Sequence, residues 1–180
     1  KVENSALWVR NNLPVDILKP ILVRGNPLNP ETRNDECIGI YDKIVDRDRQ
    51  WLMDKNAKKL NLIDKVIRAK ENVQRDVIKK ISSTNTSDIT CSGGRETAVM
   101  YPSGNITGCE MRDDVFGNIR EHEFNFNALW FSDKAHSFRK TVGQVRECEG
   151  CYHHCFISPA IFRTPSMWPR IAKSILALND

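Results

Sequence analysis

Three of the six cysteines, Cys148, Cys151 and Cys155, fall within eight residues of one another. Cys91 and Cys109 precede them at a distance, and Cys37 stands apart. Disulfide frameworks spread their thiols to staple distant loops. The Cys-x2-Cys-x3-Cys spacing instead reads as a knuckle that aims sulfurs at one point, so a metal ion or cluster in a reducing compartment is expected. Four thiolates suffice for a 4Fe–4S cluster or a structural zinc. Zinc favours two CxxC-type knuckles and only one is present, so the remote Cys91 and Cys109 tilt the reading toward iron–sulfur. Five candidates for four places leave one over, as a spare, a neighbouring thiol or an alternative ligand.

Other polar residues have plainer readings. His153 and His154 lie inside the knuckle, where imidazole could ligate zinc or iron; the expected role is hydrogen bonding behind the ligands, or an exposed pair. His122 and His136 stand alone on polar faces and are expected at the surface. Cys37 sits on a helical apolar stripe, as a small core residue would. Trp8, Trp51, Trp130 and Trp168 are scattered, so packing is their expected role. No GxSxG, Walker loop or HExxH is present. Gly93-Gly94-Arg95 could cradle an anion or form a tight turn beside the metal centre.

The elements that must position these thiols divide at Ser82–Asp88, a Ser/Thr/Asn linker taken as a module boundary. Before it, Ala6–Arg10 reads as the end of a helix stopped by Asn11, Asn12 and Pro14. Ile17–Val23 reads as a buried strand, pushed toward a sheet edge by Pro20. Residues 26–34 are rich in breakers and read as a surface crossing. From Asp35 to Ile81 the apolar spacing is helical, through Ile40, Tyr41, Ile44 and Val45, then Leu60, Ile63, Val66, Ile67, Val73, Val77 and Ile81. After the linker, residues 96–101 and 106–110 read as a β-hairpin about Pro102–Asn105, and Phe116–Ile119 as a second turn. Ser132 can cap a helix from Asp133 to about Arg146, and Ser166 with Pro169 announce a final one. This second module has a thin apolar core that would need a staple.

With 180 residues, 20.7 kDa, 40% hydrophobic and 28% charged residues, the chain has a soluble globular composition. No stretch approaches the ~18 uncharged apolar residues of a membrane span. The start is not a signal peptide and lacks Met, which suggests a piece of a longer protein. The net charge of +4 resides in residues 42–80, where twelve Lys/Arg face seven Asp/Glu. Those charges alternate in sign, as on a solvated helix face rather than a nucleic-acid stripe.

Cys91, twelve residues, Gly104, four residues and Cys109, then a gap and the Cys148/Cys151/Cys155 knuckle, resemble the SPASM/Twitch auxiliary-cluster domain of radical S-adenosylmethionine (SAM) enzymes. Tyr101–Asn105, Gly108-Cys109-Glu110, Phe116–Glu121 and Trp130-Phe131-Ser132 agree with it, over residues 88–165. Residues 1–81 resemble the last strand and helices of a partial (β/α)6 barrel, with Arg24-Gly25 ending the strand. The resemblance thus implies an α+β fold: residues 1–87 as the end of the barrel with linking helices, and 88–180 as a cluster-binding module with a hairpin and two helices. Cys91, Cys109, Cys148, Cys151 and Cys155 become the ligand candidates, four of five holding one auxiliary 4Fe–4S cluster as in the Twitch variant. The SAM-binding Cys-x3-Cys-x2-Cys is absent here, so SAM and a second 4Fe–4S cluster are expected only in a full-length parent, and this piece alone is expected to be inactive. The implied function is electron transfer or substrate ligation in radical modification of a peptide, sugar or cofactor. Implied partners are the missing N-terminal barrel, a peptide or small-molecule substrate, and a reductant such as flavodoxin or ferredoxin, in the cytoplasm, with no membrane or nucleic acid. The alternative is a zinc-binding interaction module without catalysis.

Overall fold

The computed structural model describes residues 2–15, 18–22, 34–55 and 60–178. Among these the fold is α+β, with seven α-helices and one three-stranded antiparallel sheet. Helices α1 (Val2–Asn12), α2 (Asn34–Lys55) and α3 (Leu62–Thr84) come first. The long helical period therefore resolves into two helices separated near Leu60-Asn61. Asn61 begins α3 because its side chain accepts the Asp64 N–H at 2.9 Å, and Asn85 ends it in the left-handed conformation.

The apolar stripe of α3, Ala69, Val73, Val77, Ile78 and Ile81, is buried against three other helices. Tyr41 and Val45 reach it from α2, Ile157 and Ile161 from α6 (His154–Arg163), and Ile171 from α7 (Trp168–Ala177). This core crosses the Ser82–Asp88 linker, so the knuckle's following helices rest on α3. Removing one such buried Ile or Leu side chain costs about 2–5 kcal/mol when the site cannot collapse.

The charged face of α3 departs from expectation. Lys70, Glu71 and Arg75 are buried, together with Asp48 of α2. Lys70 Nζ meets Glu71 Oε1 at 2.5 Å and Ser158 Oγ of α6 at 2.8 Å, while Asp48 lies between the guanidiniums of Arg10 and Arg75. Opposite charges that pair one another can be covered by neighbouring segments, which sign alternation alone does not reveal. The covering segment includes the expected strand. Residues 18–22 form no strand; Arg75 donates to the Leu18 carbonyl at 2.6 Å and Lys19 pairs with Glu71 at 2.9 Å. Among the described residues no strand pairs with them, and Pro20 has no N–H to offer one. Ile17, Val23, Arg24-Gly25 and most of the 26–34 crossing lie outside the described residues.

Strands β1 (Val99–Met100) and β2 (Asn105–Thr107) form the expected hairpin, with Val99 opposite Thr107 and Met100 opposite Ile106. Gly104 turns it at φ 93°, donating to the Tyr101 carbonyl at 2.8 Å. The expected second turn is instead a strand, β3 (Val115–Asn118), antiparallel to β2 across a bulge at Ile106/Thr107. Pairing with β2 satisfies its backbone and buries Phe116, an outcome that Gly117-Asn118 obscures in sequence.

Two helices were missing from the sequence reading, α4 (Phe126–Trp130) and α6, the latter disguised by the knuckle and by Pro159 inside it. Helix α5 (Asp133–Thr141) starts as expected, with Ser132 Oγ accepting from Ala135 N, but stops before Gly143 at φ 83°. Phe138 of α5 centres a second core with Ile106, Phe116, Leu129, Ala135, Val142 and Phe156. A Cβ on Gly108 would lie 2.4 Å from its ring, so glycine there permits the packing.

Candidate metal centre

Each thiol is carried on a short irregular segment whose backbone is tied elsewhere. Cys91 enters a tight turn in which the Ser92 carbonyl accepts from Arg95 N and Glu96 N at 3.0 and 2.9 Å. Ser92 is fully buried, and its hydroxyl donates to the Phe156 carbonyl of α6 at 2.7 Å. That bond holds the Cys91 turn against the end of the knuckle. Cys109 follows β2 directly. Where the two loops meet, a Cβ on Gly93 would lie 2.9 Å from the Gly108 carbonyl, so only glycine allows this approach. Cys148 ends a short 3-10 turn, and Gly150, at φ 59°, reverses the chain to Cys151.

Cys91, Cys109, Cys148 and Cys151 all line one open cavity of about 500 Å³. Three of these sulfurs accept backbone N–H bonds at 3.3 Å: Cys91 from Gly93, Cys109 from Met111, and Cys148 from Gly143. Such bonds stabilise thiolate and tune metal–sulfur centres. Burial pushes the Cys109 thiol up to about 11 despite its N–H bond, with Cys151, Cys91 and Cys148 adding to the rise. Cys91 is raised too, first by burial and then by Cys151 and Cys148. Cys91 and Cys109 thus sense the neighbouring thiols, and a cationic centre would relieve that repulsion. Among the described residues, no three Cys, His, Asp or Glu side chains are placed to hold a single metal ion. One zinc would need its sulfurs about 3.8 Å apart, given Zn–S bonds of about 2.3 Å.

Cys155 differs. It is exposed in the first turn of α6 and does not line the cavity. All six cysteines are free thiols, and Cys37 packs half-buried against the α3 core, as expected.

Residues 91–152 match the family model described as the SPASM iron–sulfur cluster-binding domain. Over that span, about a third of the chain, the sequence is similar to the SPASM domain. No curated protein and no solved structure matches the chain. The matched SPASM span contains Cys91, Cys109, Cys148 and Cys151, and stops before Cys155.

His153, just past the matched span, is almost wholly buried, lines the cavity, and bonds Glu110 at 2.8 Å. It takes the hydrogen-bonding role expected of it; His154 is half-buried on α6 near Gln74. His122 and His136 are exposed, as expected. Trp130 packs against Phe116 and Phe126, and Trp51 lies under Arg10, but Trp8 and Trp168 are both 58% exposed, against the packing expectation. Sequence reasoning missed Glu110, Ser92 and Arg139. The Arg139 guanidinium bonds the carbonyls of Gly94 at 2.6 Å and Trp130 at 2.5 Å, bracing the Cys91 turn against α4. A glutamate directly after Cys109 was the one available signal.

Proposed function

We propose that Cys91, Cys109, Cys148 and Cys151 hold one 4Fe–4S cluster, and that the chain is the C-terminal part of a radical SAM enzyme. The observation that carries this reading is the convergence of four thiols on one cavity, three of them already accepting backbone N–H bonds. Cys155 is left as the spare.

Such a cluster supplies one-electron transfer, or an iron site for substrate ligation, at a potential set by its surroundings. The chain's own residues hold and shield it. Gly93, Met111 and Gly143 offer N–H groups to sulfur, Met111, Val142, Phe156 and Ile157 supply apolar wall, and the buried His153 closes one side. In this reading residues 1–87 are the C-terminal part of the SAM-binding barrel with linking helices, 88–180 form the auxiliary module, and the parent modifies a peptide, sugar or cofactor with electrons from a flavodoxin- or ferredoxin-like donor. Six free thiols favour a reducing compartment. No helix among the described residues is long and apolar enough to cross a membrane.

Anaerobic reconstitution with iron and sulfide tests the cluster. The expected product is brown and binds ~4 iron and ~4 acid-labile sulfide per chain. A colourless chain holding one zinc and no sulfide would overturn the cluster in favour of a zinc-stabilised module.

A further inference from the structure

Away from the thiols, an open groove of about 440 Å³ runs where α2, α3 and α7 meet. From this groove we propose a second ligand site, one that binds the phosphate group of a small molecule.

Arg170, Lys173, Ser174 and Ala177 occupy one face of α7, at helical spacing, and Asn72, Val73 and Asp76 face them from α3. Arg49 crosses from α2 and is anchored there. Its Nη2 donates to Asp76 Oδ1 at 2.6 Å and to the Asn72 carbonyl at 2.9 Å, and its Nε donates to Asn72 Oδ1 at 3.3 Å. That orients the Asn72 amide, whose Nδ2 donates to Ser174 Oγ at 3.3 Å. Ser174 accepts this bond, and among the described residues its own hydroxyl proton has no acceptor.

The charges do not balance. Among the described residues that line the groove, Arg49, Arg170 and Lys173 are cations and Asp76 is the carboxylate. Arg170 Nη2 stands 3.8 Å from Asp76 Oδ2, too far for a hydrogen bond, and Lys173 has no ion pair among the described residues. Arg170, Lys173 and Ser174 therefore present donors at positions i, i+3 and i+4 of one helix. The surplus of two positive charges matches a phosphate monoester, which carries about −1.5 to −2 at neutral pH. Guanidinium groups bind phosphate through paired, charge-assisted hydrogen bonds. Val73 and Ala177 give the groove an apolar wall, and its volume suits a small ligand. A solvated helix face, the ordinary setting for such residues, would show only general ionic screening.

Calorimetric titration of the intact 180-residue chain tests the site, using inorganic phosphate and then phenyl phosphate, each against chloride of equal ionic strength. The expected result is saturable binding at one site. Phenyl phosphate binding more tightly would identify an organic phosphate as the ligand, and equal affinity the free ion; either outcome supports the site. The Arg170→Gln/Lys173→Gln double variant should bind at least about tenfold more weakly, an effect of the size that lost charge-assisted bonds produce. Asp76→Asn should bind more tightly, because it removes the competing carboxylate. Circular dichroism would confirm that both variants stay helical. Heat equal to that of chloride, or phosphate binding unchanged in a folded double variant, overturns the proposal. Neither result depends on iron, so the cluster assignment would stand or fall separately.

Discussion

His153 Nε2 lies 2.8 Å from Glu110 Oε2, joining the residue after Cys109 to the segment after Cys151. The tautomer follows from the backbone. Cys155 N–H donates to His153 Nδ1 at 3.3 Å, so Nδ1 is the acceptor and Nε2 carries the proton given to Glu110. The imidazole also packs on Phe156, with ring centroids 4.6 Å apart. One buried side chain thus spans two cysteine-bearing loops. His153→Ala should lose both bonds and leave a void, costing about 1–3 kcal/mol in denaturant unfolding of the metal-free chain. Glu110→Gln, which keeps a neutral acceptor at a partly exposed position, should cost less. Equal costs would mean that Glu110 acts only through its charge.

The cysteines separate into two groups. Cys91→Ser, Cys109→Ser, Cys148→Ser and Cys151→Ser should each lose most reconstituted iron, because a lost thiolate opens the centre. Cys155→Ser and Cys37→Ser should keep full iron and sulfide content. Iron lost by Cys155→Ser and retained by any of the four would reverse the assignment.

Alkali should weaken the metal-free chain. Burial raises the Cys109 thiol from 9.0 to about 11 and the Tyr41 phenol from 10.0 to about 12, so the fold favours their neutral forms. Their stabilisation is complete below pH 9 and 10, and is lost as pH climbs through 11 and 12. Each rise corresponds to about 2–3 kcal/mol. Denaturation midpoints should therefore fall steadily above pH 9. The Tyr41 hydroxyl is buried without a hydrogen-bond partner among the described residues, so Tyr41→Phe should be no less stable at pH 7 and should flatten the upper part of that fall.

Asp48 is the hub of a buried ion triad. It takes Arg10 on one oxygen and Arg75 on the other, at 3.0 Å from Arg75, joining α1, α2 and α3. Asp48→Asn would remove the carboxylate charge that two buried guanidiniums share and should cost about 3–5 kcal/mol in urea unfolding. A loss below about 1 kcal/mol would mean that the triad is solvated in solution.

Local chemistry in the chain was enough to read several features. Gly104 marks the hairpin turn because few other residues adopt its backbone angle, Ser132 caps α5 through a bond three residues away, and the apolar spacing before Ile81 declares helix. The knuckle spacing likewise pointed toward a metal–sulfur centre, since thiols so close together have little use as staples, and residues 91–152 match an iron–sulfur cluster-binding domain model. What depended on distant partners was hidden. Phe116–Asn118 becomes a strand only because β2 lies beside it, and Lys70, Glu71, Arg75 and Asp48 are buried only because other segments fold over them. Cys155 matched its fellows in sequence, yet α6 begins at His154 and turns that thiol to solvent. Spacing along a chain encodes which groups are near neighbours; the direction each side chain faces is set by packing between elements far apart in sequence, and that alone separated four thiols from the fifth.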